Sequence, residues 1–257
     1  MQKDDQTAFV AISDIPAALG LLSRLPVPVD FDAARARGPK AAWAYPVAGA
    51  ALALIAAGIA QIALWFGLSA PLVAALALAV LIVTTGAMHE DGLADCADGL
   101  WGGWDAARRL EIMKDSHIGV YGVLALILGL LLRWQALTLV IGSGYLWPAL
   151  IATAIISRAM MVPVMARLPH ARTTGLSHSV GRPSVATARV AEGIAALAAI
   201  ILFGWVGLAV LLAALLAATA CALIAKAKIN GQTGDVLGAT QNVTEVAVLM
   251  TLATLVT

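Results

Sequence analysis

Charge is scarce in this chain. Asp, Glu, Lys and Arg make up 12% of its 257 residues, about half the share of an ordinary soluble domain. Hydrophobic residues reach 61% and the mean hydropathy is +0.91, so lipid is the solvent for most of the chain. Net charge is only +1, which excludes a nucleic-acid partner held through a broad basic surface. Cysteine is almost absent. Cys96 and Cys221 show neither a pairing pattern nor metal-ligand spacing and read as free thiols, so no disulfide scaffold or thiolate zinc site is expected. Aromatics are few, and the seven Trp mostly sit near expected membrane interfaces. The acidic start, Met1 to Asp5, is not followed by an apolar leader, so no signal peptide is expected. Missing too are a Walker-type glycine loop, a Gly-x-Ser-x-Gly elbow and a His-Glu-x-x-His pair.

Long apolar runs are what the chain has instead. Tyr45 to Gly67, Pro71 to Met88, Ile118 to Ile141 and Leu146 to Met165 each have the length of a membrane span. The run from Gly193 to Ala225 would make a helix of about 50 Å where a ~30 Å core needs far less. Gly204-Trp205-Val206-Gly207 is the place to fold it in two. A last span runs from near Asp235 to the C-terminus, which makes about seven. The N-terminal stretch from Phe9 to Leu25 is interrupted by Asp14, Pro16 and Arg24 and reads as an interfacial helix. The expected fold is an all-α polytopic membrane bundle forming one catalytic domain over residues 1–257. Lys and Arg collect before span one and between spans two and three, four and five, and six and seven, while the alternate turns carry none. By the positive-inside rule the N-terminus and every polar connection face the cytoplasm, and the C-terminus lies on the opposite side.

Against this background, His89 to Gly99 holds four carboxylates in eleven residues at the end of an apolar run. Asp91, Asp95 and Asp98 follow i, i+4, i+7 spacing, which on a helix makes one face about 10 Å long with Glu90 beside it. Acids this close repel one another, and a divalent cation is their natural partner, so Glu90, Asp91, Asp95 and Asp98 are the expected Mg²⁺ ligands. A solvated acidic loop is the plainer alternative, but it needs neither this density nor this periodicity. Downstream, Arg108 and Lys114 suit a diphosphate and Asp115 can extend the metal shell, with Ser116 and His117 completing a polar cluster at the start of span three. Arg108 and Arg109 serve equally as ordinary flanking charges.

The last span opens with Asp235, Gly238, Asn242 and Glu245 on one polar face. Glu245 lies about 15 Å along the helix from Asp235, too deep to stay unpaired, and Arg133 and Arg158 are its expected partners. A buried structural pair and a substrate-facing role are both open. The stretch Arg172 to Arg182, flanked by His170 and holding His178, reads as a mobile cytoplasmic loop, either a linker or a flap over a phosphate ligand.

Three motifs carry a resemblance. His89-Glu90-Asp91-Gly92-Leu93-Ala94-Asp95 through Asp98-Gly99-Leu100-Trp101-Gly102-Gly103, Lys114-Asp115-Ser116-His117-Ile118-Gly119-Val120-Tyr121-Gly122, and Gly234-Asp235-Val236-Leu237-Gly238-Ala239 resemble the cobalamin synthase family. Arg24-Leu25-Pro26-Val27-Pro28 and Tyr45-Pro46-Val47-Ala48-Gly49 resemble that family's N-terminal pattern. The resemblance implies an enzyme of the bacterial inner membrane that joins adenosylcobinamide-GDP to α-ribazole or its 5′-phosphate, with Mg²⁺, and releases GMP. It implies catalytic roles for Asp98, Lys114, Asp115 and His117, and substrate contacts from Arg108, Ser116, Tyr121, Arg158, Asp235, Asn242 and Glu245. A homo-oligomer is compatible with it. Asp95-Cys96-Ala97-Asp98-Gly99 also matches the opening of the CDP-alcohol phosphotransferase signature, although the Ala-Arg and the second acidic pair of that signature are missing. An ion-coupled transporter remains an alternative. Against it, the acids gather in one cluster and no internal repeat is visible.

Overall fold

Proline and glycine punctuate the apolar runs, and helices occupy what lies between. The computed structural model describes residues 8–257; the acidic start from which the absence of a leader was expected falls outside them. A short helix α1 (Asp14–Leu22) leads through α2 (Phe31–Arg37) and a 3-10 turn (Gly38–Ala44) into α3 (Tyr45–Trp65) and α4 (Ala70–Thr85). Then come α5 (Met88–Gly102), α6 (Ala106–Ile112), α7 (Val120–Gly142), α8 (Leu146–Arg167) and the five-residue α9 (Leu176–Val180). Helices α10 (Val185–Phe203), α11 (Val206–Ile229) and α12 (Gly234–Leu255) complete the chain. Pro46 and Pro71 sit in the first turns of α3 and α4, where a missing N–H costs no hydrogen bond.

Among the described residues six helices are long and apolar enough to cross a membrane, and the pair α4 and α5, bent by 87°, makes a seventh crossing if counted as one. The bend sits at Gly86 and Ala87, both left-handed with φ of 65° and 57°. For Ala87 that conformation costs about 1 kcal/mol, which packing on both sides must sustain. Helix α8 is the axis of the bundle, buried along nearly its whole length. It packs against α3, α10 and α12, while α7 and α4 close one flank and α11 the other. Small residues allow the closest approaches. A Cβ at Gly49 of α3 would collide with the Ala154 carbonyl of α8, so the two backbones touch there.

The acidic stretch forms a helix, as its i, i+4, i+7 spacing indicated, and this helix α5 packs against α12 and α7. Two expectations shift. The fifth span begins at Val185, eight residues before Gly193, because the Ser184 side chain caps it by accepting from the Thr187 amide at 3.0 Å. The first helix is shorter than the Phe9–Leu25 expected, since Pro26 and Pro28 prevent its continuation beyond Ser23. The break between Phe203 and Val206 falls at the anticipated glycines.

All the long polar connections meet at one end of the bundle. Arg109 donates to the Lys228 carbonyl (2.9 Å), Ser177 to Gln232 (2.6 Å), and Arg182 to the Ala166 carbonyl (2.8 Å). The turns near Gly67, Gly144 and Trp205 belong to the opposite end. At the polar end the N-terminal helices are pinned by one carboxylate. Asp14 is wholly buried and accepts from Arg37 Nε (2.8 Å) and Nη2 (2.6 Å), from Trp43 Nε1 (2.7 Å) and from the Ala11 amide (3.1 Å). Burial alone would raise its pKa, but the hydrogen bonds from Arg37, Trp43 and Ala11 outweigh it and hold the carboxyl below its ordinary 3.8. Its contribution is therefore complete above pH 3.8 and disappears as the pH falls through the lower folded value. Arg37→Ala leaves Asp14 buried without its cation and is expected to cost about 3 kcal/mol. Thermal unfolding in detergent measures this, with proteolytic release of the N-terminal segment as the structural readout.

Candidate active site

Helix α5 lies against the start of α12 because neither helix has a side chain at the contact. A Cβ on Gly92 would come within 2.8 Å of the Asp235 carbonyl oxygen, and one on Gly238 within 3.3 Å of the Met88 oxygen. Beside this contact lies a buried charge network. Arg133 of α7, 3% exposed, reaches Glu90 Oε1 at 3.0 Å and Glu245 Oε1 at 3.7 Å. Asn242 donates to Glu90 (3.3 Å), and Gln241 donates both to Glu245 (2.6 Å) and to Ser157 of α8 (3.1 Å). Arg158 is buried nearby, within the electrostatic reach of both glutamates. Four helices are thus tied around two acids and two guanidinium groups.

The outward side of α5 faces a different environment. Asp91 is exposed and Asp95 half-buried. The charge of Asp95 is felt together with those of Asp235, Asp91 and Asp98, with Arg172 the cation nearby. A polar cavity of about 190 Å³ opens here between the first turns of α5 and α12 and the segment from His170 to His178. Asp91, Asp235, Arg172, His170 and His178 line it. Arg172 reaches Asp235 at 3.1 Å and the Leu110 carbonyl at 3.4 Å, and its Nε has no partner. Among the described residues no three His, Cys, Asp or Glu side chains converge to hold a metal on their own.

The segment expected to be mobile is strapped down. The Ala171 amide donates to the Gln232 carbonyl (2.9 Å) and the Gln232 amide to that of Pro169 (2.8 Å). The Gln232 side-chain nitrogen lies 3.0 Å from His170 Nδ1. An amide nitrogen only donates, so Nδ1 accepts and the neutral ring carries its proton on Nε2. Partial burial, then His178 and Arg182, hold the His170 pKa below its ordinary value and keep the ring neutral.

The expected site residues divide into three groups. Asp91 and Asp235 line the cavity, and Asp95 adjoins it. Glu90, Arg158, Asn242 and Glu245 are buried in the bundle, so Glu90 is turned away from the carboxylate face where it was expected. Asp98 also leaves that face. Its two oxygens accept the amides of Gly119 (2.7 Å) and Gly122 (2.8 Å) and so cap the N-terminus of α7. The remaining cluster is on the surface. Arg108 pairs with Glu111 (2.7 Å), His117 with Asp115 (2.7 Å), and Lys114, Ser116 and Tyr121 are exposed. Asp115 raises the pKa of His117 by hydrogen bond and charge, and its own is lowered in return. Nothing in the sequence singles out Arg172, His170 or His178 individually as a site residue. Their one signal was a basic stretch between spans, and only the fold brings it to Asp235.

Comparison with known proteins covers nearly the whole chain. A family model described as cobalamin-5-phosphate synthase (CobS) matches residues 14–253. A protein of Mesorhizobium japonicum is 41% identical over 93% of this chain and 92% of its own length. One from Bradyrhizobium diazoefficiens is 41% identical over 96% of each, and one from Sinorhizobium medicae 43% identical over 93% of this chain and 95% of its own. Each of the three bears the name adenosylcobinamide-GDP ribazoletransferase. No solved structure matches the chain.

The Asp98 cap yields a direct test. A Cβ at Gly122 would strike the Asp98 carboxylate. Gly122→Ala is therefore expected to displace it, uncap α7 and lower stability by about 2 kcal/mol. Unfolding in detergent measures the loss, and hydrogen exchange should place the loosening at residues 119–123.

Proposed function

The chain belongs to the cobalamin-5-phosphate synthase (CobS) family, and from that premise we propose that it is an adenosylcobinamide-GDP ribazoletransferase working at the polar end of its bundle. It transfers the adenosylcobinamide phosphate to α-ribazole or α-ribazole 5′-phosphate. A hydroxyl of the acceptor attacks the phosphorus that carries the corrinoid, loses its proton, and forms the new P–O bond as the anhydride bond to GMP breaks. No protein nucleophile is needed, so positioning and charge stabilisation are the protein's tasks. The family match over residues 14–253 sets aside the CDP-alcohol and transporter alternatives. The pairing of Arg133 with Glu90 and Glu245 in a closed core also argues against an ion path.

One observation carries the assignment of the site: Asp91, Asp235 and Arg172 line a single polar cavity beside Asp95. Hard carboxylate oxygens fit Mg²⁺, which binds through one or two carboxylates and completes its shell with water and substrate phosphate rather than with a protein cage. The lack of a preformed three-ligand cluster among the described residues is consistent with that mode. Asp91 and Asp235, which both line the cavity, would hold the ion, and Asp95 adds negative charge beside them; the ion when bound would neutralise phosphate oxygens. Arg172 binds a phosphate oxygen through the part of its guanidinium not engaged by Asp235. Neutral His170 presents Nε2–H as a donor that adds no charge beside the acids. Lys114, His117 and Arg108 form an exposed cationic rim for a large anionic donor. Asp98 acts at one remove by fixing α7. The distribution of Lys and Arg supports a cytoplasmic site and N-terminus, with the C-terminus across the membrane.

Purified protein in detergent, given adenosylcobinamide-GDP and α-ribazole in a single-turnover assay, should release GMP with Mg²⁺ and fail to do so in excess EDTA. Asp91→Asn and Asp235→Asn are each expected to slow release about a hundredfold. Undiminished release by the double variant at ordinary Mg²⁺ would overturn the metal assignment.

A further inference from the structure

The polar cavity does not end at Asp235. It shares Met88, Leu176, Ser177 and Gly234 with an adjoining cleft of about 40 Å³. That cleft in turn shares Leu21, Tyr45 and Val180 with a third cavity of about 150 Å³ beneath α1 and the 3-10 turn. The three form one trough, polar at the α12 end and apolar in the middle. Helix α9 roofs it, since Leu176, Ser177 and Val180 line it from above. Gly175 and Gly181, with φ of 104° and 90°, flank the roof at either end.

From this arrangement we infer that the apolar cleft under α9 binds the planar aromatic base of the acceptor nucleoside, leaving its ribose in the polar cavity. The inference rests on the proposed reaction and adds a subsite to it. The wall chemistry suits a flat, apolar ring. Met88, Met161 and Met165 are flexible, polarisable side chains that adapt their shape and make favourable sulfur–aromatic contacts. At about 40 Å³ the cleft alone is narrow, and the methionines together with the neighbouring cavity provide the room a ring needs. Three polar side chains interrupt the wall, Tyr45, Ser177 and His89, and Ser177 is already bonded to Gln232. His89 is 2% exposed, lines the cleft, and its Nε2 has no hydrogen-bond partner. A buried polar nitrogen left unmatched is costly. In the tautomer with its proton on Nε2, His89 would donate to the unsubstituted ring nitrogen of a benzimidazole riboside. A guanine base, with its several donors and acceptors, would leave most of them unsatisfied here.

A rival exists. An apolar groove of about 280 Å³ runs between α5, α11 and α12 past Cys96, Trp101 and Cys221. None of its lining residues belongs to the polar cavity, which is why the cleft is preferred.

The test compares the two. Met161→Phe and Leu237→Phe narrow the cleft and should raise the KM for α-ribazole about tenfold while changing the KM for adenosylcobinamide-GDP less than about twofold. Ala220→Leu, in the rival groove, should alter neither constant. Wild-type protein irradiated with an azidobenzimidazole riboside should be labelled on peptides containing Met88, Met161 or Met165, which keeps the test decisive if a variant fails to fold. With GMP release by the wild type intact, label on Trp101 or Cys221, or an unchanged acceptor KM in the folded cleft variants, overturns the subsite alone. A wild type that releases no GMP overturns both the subsite and the reaction beneath it.

Discussion

Arg133 holds the molecule's functional end together. A guanidinium group inside a membrane bundle is tolerable only with partners, and this one has two, Glu90 on α5 at 3.0 Å and Glu245 on α12 at 3.7 Å. Taking either partner away strands a buried charge, at a cost of about 3–5 kcal/mol. The pair therefore specifies how three helices meet rather than merely adding stability. Gln241 carries the network to Ser157 on α8. With Gly92 and Gly238 allowing backbone contact, α5 sits against the start of α12, and that contact brings Asp91 and Asp95 near Asp235.

One short helix thus sends its acids in three directions. Glu90 points inward to Arg133, Asp98 toward the amides that open α7, and Asp91 toward the polar cavity, with Asp95 within electrostatic reach of Asp91 and Asp235. The cluster that was conspicuous in an apolar chain is partly scaffold and partly site. The glycines at 119 and 122 belong to the scaffold, since a side chain at either would strike the Asp98 carboxylate. The surface pairs Arg108–Glu111 and Asp115–His117 are in contact with water and add little to stability.

How much of this was readable beforehand follows from what each level of structure depends on. The helices were readable because span length and charge placement are local properties, and the break at Gly204–Gly207 followed from the length of the run, its glycines and the placement of the lysines. The bend at Gly86 and Ala87 was not, because an alanine in left-handed conformation leaves no mark in sequence. Periodicity correctly put Asp91, Asp95 and Asp98 on one helix. It could not tell that Asp98 would meet α7, since that depends on a partner twenty residues away. Arg133 and Arg158 were identified as the cations near Glu245 because nothing else in the spans could serve, but the claim of Arg133 on Glu90 needed the fold. Arg172 was hidden in a basic connection whose position beside α12 is set by the backbone bonds between residues 169–171 and Gln232.

If the Arg133–Glu90 contact orders the acidic helix for its chemistry, the two residues are coupled in stability and in catalysis alike. A double-mutant cycle with Glu90→Gln and Arg133→Met, read by thermal unfolding in detergent and by single-turnover GMP release, measures this. A coupling of about 2 kcal/mol in unfolding is expected, with the double variant no slower in GMP release than Arg133→Met alone. Additive losses in both readouts, with coupling near zero, would contradict it.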